Sequence, residues 1–198
     1  RRGSLSGELR VKGKQGHIAY PENVKNPIFL SSDLIVQLKN KVWDNGNAIF
    51  QPTSFQISNI ASGTGAKNVV PGHLDMVFNF RFSTESTESS LRDEFESILH
   101  ELNLDYDIDW YLSGLPYLTT DSTLKDIVVK SIKKETGIDA DKNAKGGTSD
   151  GRFIAKMNTE IIELGPLNKT IHQIDECVSV KDLETLKAIY LEVLRELN

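Results

Sequence analysis

Residues 105–112 alternate without a break. Tyr106, Ile108, Trp110 and Leu112 fall on one side, Asp105, Asp107, Asp109 and Tyr111 on the other. Successive side chains of a strand leave opposite faces, so this segment predicts a strand in a sheet with one apolar and one wet face. Residues 74–83 repeat the constraint: Phe78, Phe80 and Phe82 share one face, and Val77, Asn79 and Arg81 the other. The apolar face of such a sheet must be covered, and the chain supplies two helices to cover it. From Pro27 to Val42, Ile28, Leu34, Ile35, Leu38 and Val42 suit one helical face, with the proline at a first turn. Leu91, Phe95, Ile98, Leu99 and Leu102 form the stripe of a second helix. Residues 5–14, apolar at Leu5, Leu9 and Val11 against Glu8, Arg10 and Lys12, and residues 53–61 add two further strands. The order is β-α-β-β-α-β, the ferredoxin-like unit of α+β type, with an edge strand able to pair with a second copy.

Ser113-Gly114-Leu115-Pro116 marks a boundary, giving one domain over 3–115 and another segment over 116–198. The second segment predicts a helix over about 122–136, a strand near 138–144, a turn at Gly146–Gly151 and a short helix. A strand over Glu160–Leu164 and a final helix follow, the latter capped by the Ser179 hydroxyl with Asp182 three residues on. Leu183, Leu186, Tyr190, Val193 and Leu197 stripe that helix. The alternation is α/β in character, but two short strands make a poor independent core, so 116–198 reads as the C-terminal part of a larger domain. Arg1-Arg2-Gly3-Ser4 runs into a strand without an initiator Met or a signal-peptide core, which suggests a start in mid-sequence.

A net charge of −5 and a pI near 5.4 argue against a nucleic-acid surface. The chain also lacks the aromatic strand signature of a ferredoxin-like RNA binder. No apolar run is long enough for a membrane span. The one cysteine, Cys177, excludes an internal disulfide and suits a reducing compartment.

Taken alone, the candidate site residues leave two readings each. His172, in the loop-like stretch 165–176, is either a loop histidine or a metal ligand whose companions lie elsewhere. The other histidines, 17, 73 and 100, sit at no convincing spacing for a zinc site, which takes three protein ligands and an open position. Arg81 is either part of a solvated face or a planar fork for a substrate carboxylate, with Asn68 a plausible amide partner. Gly147, Thr148 and Ser149 form an anion cradle or a simple turn capped by Asp150. The ending of a Walker phosphate loop is missing there. His17, before a Tyr-Pro turn, is unremarkable by itself. His73-Leu74-Asp75 has the form of a ligand pair but follows a Pro-Gly turn without an acid cluster, and is set aside.

Five stretches occur in one order: Gly16-His17-Ile18-Ala19-Tyr20-Pro21, the Gly63–Gly72 loop, Asn79-Phe80-Arg81-Phe82-Ser83, Gly146–Arg152 and Gly165–Glu176. Together they resemble the C-terminal half of the zinc aminoacylase/carboxypeptidase family. That resemblance implies an α/β zinc-hydrolase catalytic domain interrupted by a ferredoxin-like lid, which forms the homodimer. It implies two zinc ions in the whole enzyme, with cobalt a possible substitute, His172 as one ligand, and Asp175 or Glu176 to orient its ring. His17 would stabilise the oxyanion of the partner's site. Arg1, Ser4, Tyr20, Asn68, Arg81, Gly147, Thr148 and Asn168 would contact the substrate. The other ligands and a Glu general base would lie in an N-terminal half outside this sequence. The implied activity is cytoplasmic hydrolysis of N-succinyl-LL-2,6-diaminoheptanedioate to succinate and LL-2,6-diaminoheptanedioate, in lysine and diaminopimelate biosynthesis. A sister deacylase acting on N-acetylornithine and a non-catalytic dimerisation module are the alternatives. On any of these readings the partner is a small molecule or a second copy, not nucleic acid or membrane, and the chain alone is inactive.

Overall fold

The computed structural model describes residues 1–120, 122–157 and 159–198. They form two compact units: Arg1–Tyr117 with Ala144–Thr148, and Leu118–Asn143 with Ser149–Asn198.

The first unit is built around β1 (Gly3–Lys12). It pairs antiparallel with β5 (His73–Phe82) on one side and β6 (Tyr106–Gly114) on the other, and β3 (Ser54–Ser62) pairs with the far side of β5. The sheet order β3-β5-β1-β6 is that of the ferredoxin-like unit. Two helices, α1 (Pro27–Asn40) and α2 (Glu88–Glu101), cover one face. Asn26 Oδ1 accepts the Ile28 N–H to start α1. Thr87 and Ser90 exchange side-chain and backbone bonds to start α2.

The core is aromatic. Phe78, Phe80 and Phe82 from β5 and Phe95 from α2 are all but sealed from solvent. Phe78 and Phe95 stack at 4.4 Å, and Trp110 meets Phe78 edge-on at 5.4 Å. Rings this large fit because β1 offers glycines opposite two of them. A Cβ on Gly7 would collide with the Phe78 ring, and one on Gly3 with Phe82. Glu96 ties α2 to β6, accepting from Trp110 Nε1 at 2.9 Å and Tyr106 Oη at 3.1 Å.

The expected face of α1 is corrected in part. Leu34 and Leu38 are buried, but Ile28 and Val42 are exposed at 43% and 73%. The buried line is Pro27, Ser31, Leu34 and Leu38, which leaves Ile28 on the flank, and the helix ends at Asn40 before Val42 can continue the period. After the helix, the loop to β3 closes around Asp44. Its carboxylate accepts from the Gly46 and Thr53 N–H groups and from the Thr53, Ser83 and Ser86 hydroxyls. Burial opposes its ionisation, but the Ser86, Thr53 and Gly46 bonds outweigh that and hold its pKa at about 2.

In the second unit α3 (Thr123–Thr136) packs on α5 (Val180–Glu196) through Val128, Ile189 and Val193. Ser122 and Ser179 cap these helices, and Gly137, at φ +74°, closes α3. A one-turn helix, α4 (Gly151–Ile154), stands between them. The strands expected at 138–144 and 160–164 are absent from the described residues. A strand exists only where a neighbour completes its ladder, and here single bonds substitute: Thr119 Oγ1 donates to Ile161 O at 2.6 Å and accepts its N–H at 3.2 Å.

Candidate functional site

The polar face of the four-stranded sheet carries candidate residues at its two ends. Beyond the Lys12 end of β1, a two-residue ladder joins β2 (Gly16–His17) to β4 (Val69–Val70). This pairing, too short for any periodicity, brings His17 beside Asn68, with Nε2 3.4 Å from the amide, and sets Tyr20 at 5.8 Å between ring centres. His17 Nδ1 accepts the Ala19 N–H at 3.1 Å. That bond leaves the proton to Nε2 in the neutral ring, where Asn68 pairs with it by presenting its amide oxygen in place of Nδ2. Asn68 lies with His17 rather than with Arg81 of its own chain.

At the Gly3 end, Arg81 is flanked by Ser4 across β1 and Ser54 across β3. Its Nη1 donates to Thr148 Oγ1, and burial lowers its pKa. Ser4 is buried at 2% exposure, and its hydroxyl already accepts from Asn79 Nδ2 at 3.0 Å. Arg1 donates to Lys145 O and lies against Gly146, whose φ of +101° and missing Cβ both admit that approach. Gly147 follows, exposed, before Thr148. Arg1, Ser4, Arg81 and the 146–148 turn therefore meet. Eight steps of β1 separate Ser4 and its partner Arg81 from Lys12, a span of roughly 26 Å.

Asn168 and His172 belong to the second unit, on an exposed loop. His172 holds a left-handed backbone at φ +57°, as does Asp175 at +61°, a conformation uncommon for side-chain-bearing residues. Glu176 accepts the backbone N–H of His172 at 3.1 Å rather than a ring proton. Among the described residues no three His, Cys, Asp or Glu side chains converge as a metal site. One imidazole does not fit a zinc ion by itself. His73 lies 3.6 Å from Asp75, which Arg10 engages through two bonds of 2.7 and 3.0 Å.

Sequence reasoning missed Arg2, which stands beside Arg81, and Asn79, which bridges Ser4 and Ser6. Extending the alternation of β1 two residues back from Ser4 would have found the first.

A four-stranded ferredoxin-like sheet with one covered face defines the class of this chain: residues 1–107 match the peptidase dimerisation domain of the M20 family, and the chain belongs to that family. Among its relatives, it is 55% identical to the succinyl-diaminopimelate desuccinylase of Pseudomonas syringae pv. syringae over 197 residues, covering 100% of this chain and 52% of that protein. The desuccinylase of Polynucleobacter necessarius subsp. necessarius is 56% identical over 197 residues, with 100% and 51% covered. The chain thus spans about half the length of the relatives it matches. Its fold is similar to that of an M20 family metallo-carboxypeptidase from Sulfolobus solfataricus, with a TM-score of 0.76 at 16% identity over 98% of this chain and 58% of that one. A tripeptidase from Staphylococcus aureus gives 0.73 at 19% identity, covering 98% and 51%. No helix among the described residues is long and apolar enough to cross a membrane.

Proposed function

We propose that this chain is the C-terminal half of a zinc-dependent amide hydrolase that releases succinate from N-succinyl-LL-2,6-diaminoheptanedioate. Residues 3–115 are its lid and dimerisation domain, and 116–198 the returning part of its catalytic domain. The observation that carries this reading is the 55–56% identity to two desuccinylases across the whole of the chain.

The chain's own residues bind and orient the substrate and meet its developing charge. Arg81, Thr148 and the Gly147 turn, with Arg1 and Ser4, hold a carboxylate-bearing end. Asn168 adds an amide, and His172 gives one donor to a metal centre completed by residues outside this sequence. His17, whose Nε2 carries the proton in the neutral ring, stabilises an oxyanion, and Asn68 and Tyr20 flank it. The spacing supports a shared site. The roughly 26 Å of β1 between Arg81 and the end beyond which His17 lies exceeds the reach of one small amide. One substrate therefore meets Arg81 of one subunit and His17 of another, which makes the lid homodimer part of the active site.

The test is succinate release by the full-length protein, metal-stripped and zinc-restored, with N-succinyl-LL-2,6-diaminoheptanedioate and N-acetylornithine compared. Zinc-restored release from the succinyl substrate is expected. Faster turnover of N-acetylornithine would replace this reading with the sister deacylase, and turnover of neither would leave a dimerisation module.

A further inference from the structure

Two guanidinium groups stand together at the Arg81 end of the sheet, and among the described residues no carboxylate pairs with either. Arg2 continues β1 by one residue and shares the face of Ser4 and Arg81. Its Nη1 reaches across the end of β5 to Ser54 Oγ at 3.1 Å and Pro52 O at 3.4 Å, while its Nε is buried without a partner. Burial and the nearby Arg81 charge both lower its pKa. A guanidinium stays charged under such stress, so two of them half-buried side by side form a cationic pair that an anion relieves.

We propose that Arg2 is a positioning residue for the carboxylate that Arg81 binds. It occupies Ser54 Oγ, on the cross-strand neighbour of Arg81, and Pro52 O. The Arg81 fork is left to Thr148 and the ligand, and a second positive charge is added behind it. This assignment rests on the reading of Arg81 as a carboxylate-binding residue. The chemistry of the ligand follows: a small dicarboxylate or a dicarboxylic amide is favoured over a monocarboxylate.

The probe is succinate, titrated into the 198-residue chain by isothermal calorimetry at several salt concentrations, with acetate as the monocarboxylate. Arg81→Gln should abolish binding. Arg2→Gln should weaken succinate binding roughly fivefold to tenfold and flatten its salt dependence, the order expected of one partly screened charge. Arg2→Lys, which keeps the charge, should stay within about twofold of the parent. Equal binding by Arg2→Gln and the parent, or a loss in Arg2→Lys as large as that in Arg81→Gln, would overturn the assignment while leaving the hydrolase reading intact. A parent chain that binds no succinate would overturn it as well. The hydrolase reading stands or falls separately, on succinate release by the full-length protein. Should Arg2→Gln not fold, the Arg2→Lys comparison and the salt dependence of the parent decide the matter.

Discussion

Replacing Asp44 by Asn removes a charge and leaves nearly the same shape. The carboxylate gathers five donors from Gly46, Thr53, Ser83 and Ser86 and closes the loop that leads to Pro52 and Ser54, the two residues that hold Arg2. The distance between an ordinary pKa of 3.8 and the folded value of about 2 corresponds to about 2.4 kcal/mol, at about 1.4 kcal/mol per pH unit. Asp44 is only half-buried, so solvent screens part of this, and about 1–2 kcal/mol is expected at pH 7. A depressed folded pKa means the contribution is complete above the unfolded value near 3.8 and disappears as pH falls through about 2. Urea unfolding followed by tryptophan fluorescence measures it cleanly, because both tryptophans, Trp43 and Trp110, report on the sheet unit. The parent should exceed Asp44→Asn by about 1–2 kcal/mol at pH 7, and the gap should close towards pH 2. A gap below about 0.3 kcal/mol at neutral pH, or one that persists unchanged in acid, would refute the reasoning.

Gly7→Ala sets a methyl into the Phe78 ring and should cost about 1–3 kcal/mol by the same fluorescence measurement, with Phe78→Leu recovering part of the loss. In the full-length protein His17→Ala should lower kcat roughly a hundredfold with KM and bound zinc little changed, whereas His172→Ala should lose metal by elemental analysis. Mixing those two variants should regain activity in some heterodimers, and none regained despite proven subunit exchange would remove His17 from the shared site. The 198-residue chain alone should show no zinc-dependent deacylase rate, and should sediment as a dimer at micromolar concentration. A measurable rate or a monomeric mass would count against the respective proposals.

Sequence made the sheet legible where the signal repeats. Phe78, Phe80 and Phe82, and Tyr106 through Leu112, state their faces in every second residue, and the fold that follows has few alternatives. Caps at Ser122 and Ser179 were equally legible, because a hydroxyl before an apolar stripe has one local use. The β2–β4 ladder was not, since two residues carry no period, and with it went the meeting of His17 and Asn68. The strand expected at 160–164 rests on Ile161, Ile162 and Leu164, which report burial tendency and not whether a partner edge exists, and 138–144 has only Ile138, Ala140 and Ala144 behind it. Ile28 and Val42 misled for a related reason: a helical face is defined by what packs on it, and neither meets the sheet. Arg2 was hidden by its neighbour, since Arg1 and Arg2 look alike until the alternation of β1 is carried back from Ser4 to choose between them.

β1 is hydrogen-bonded on both sides for nearly its whole length, to β5 and to β6. Such a strand is a ruler. Side chains along it can be exchanged freely, within the limits of the core, without altering the separation of the two groups at its ends. Its length cannot be changed so lightly. Deleting two residues would keep every face and shorten the span by about 7 Å, while deleting one would also turn the far end over. The interval between the histidine and the arginine is thus set by the backbone count of β1 and of β5, which runs beside it from the β4 ladder to Arg81, and both segments should tolerate substitution far better than insertion or deletion.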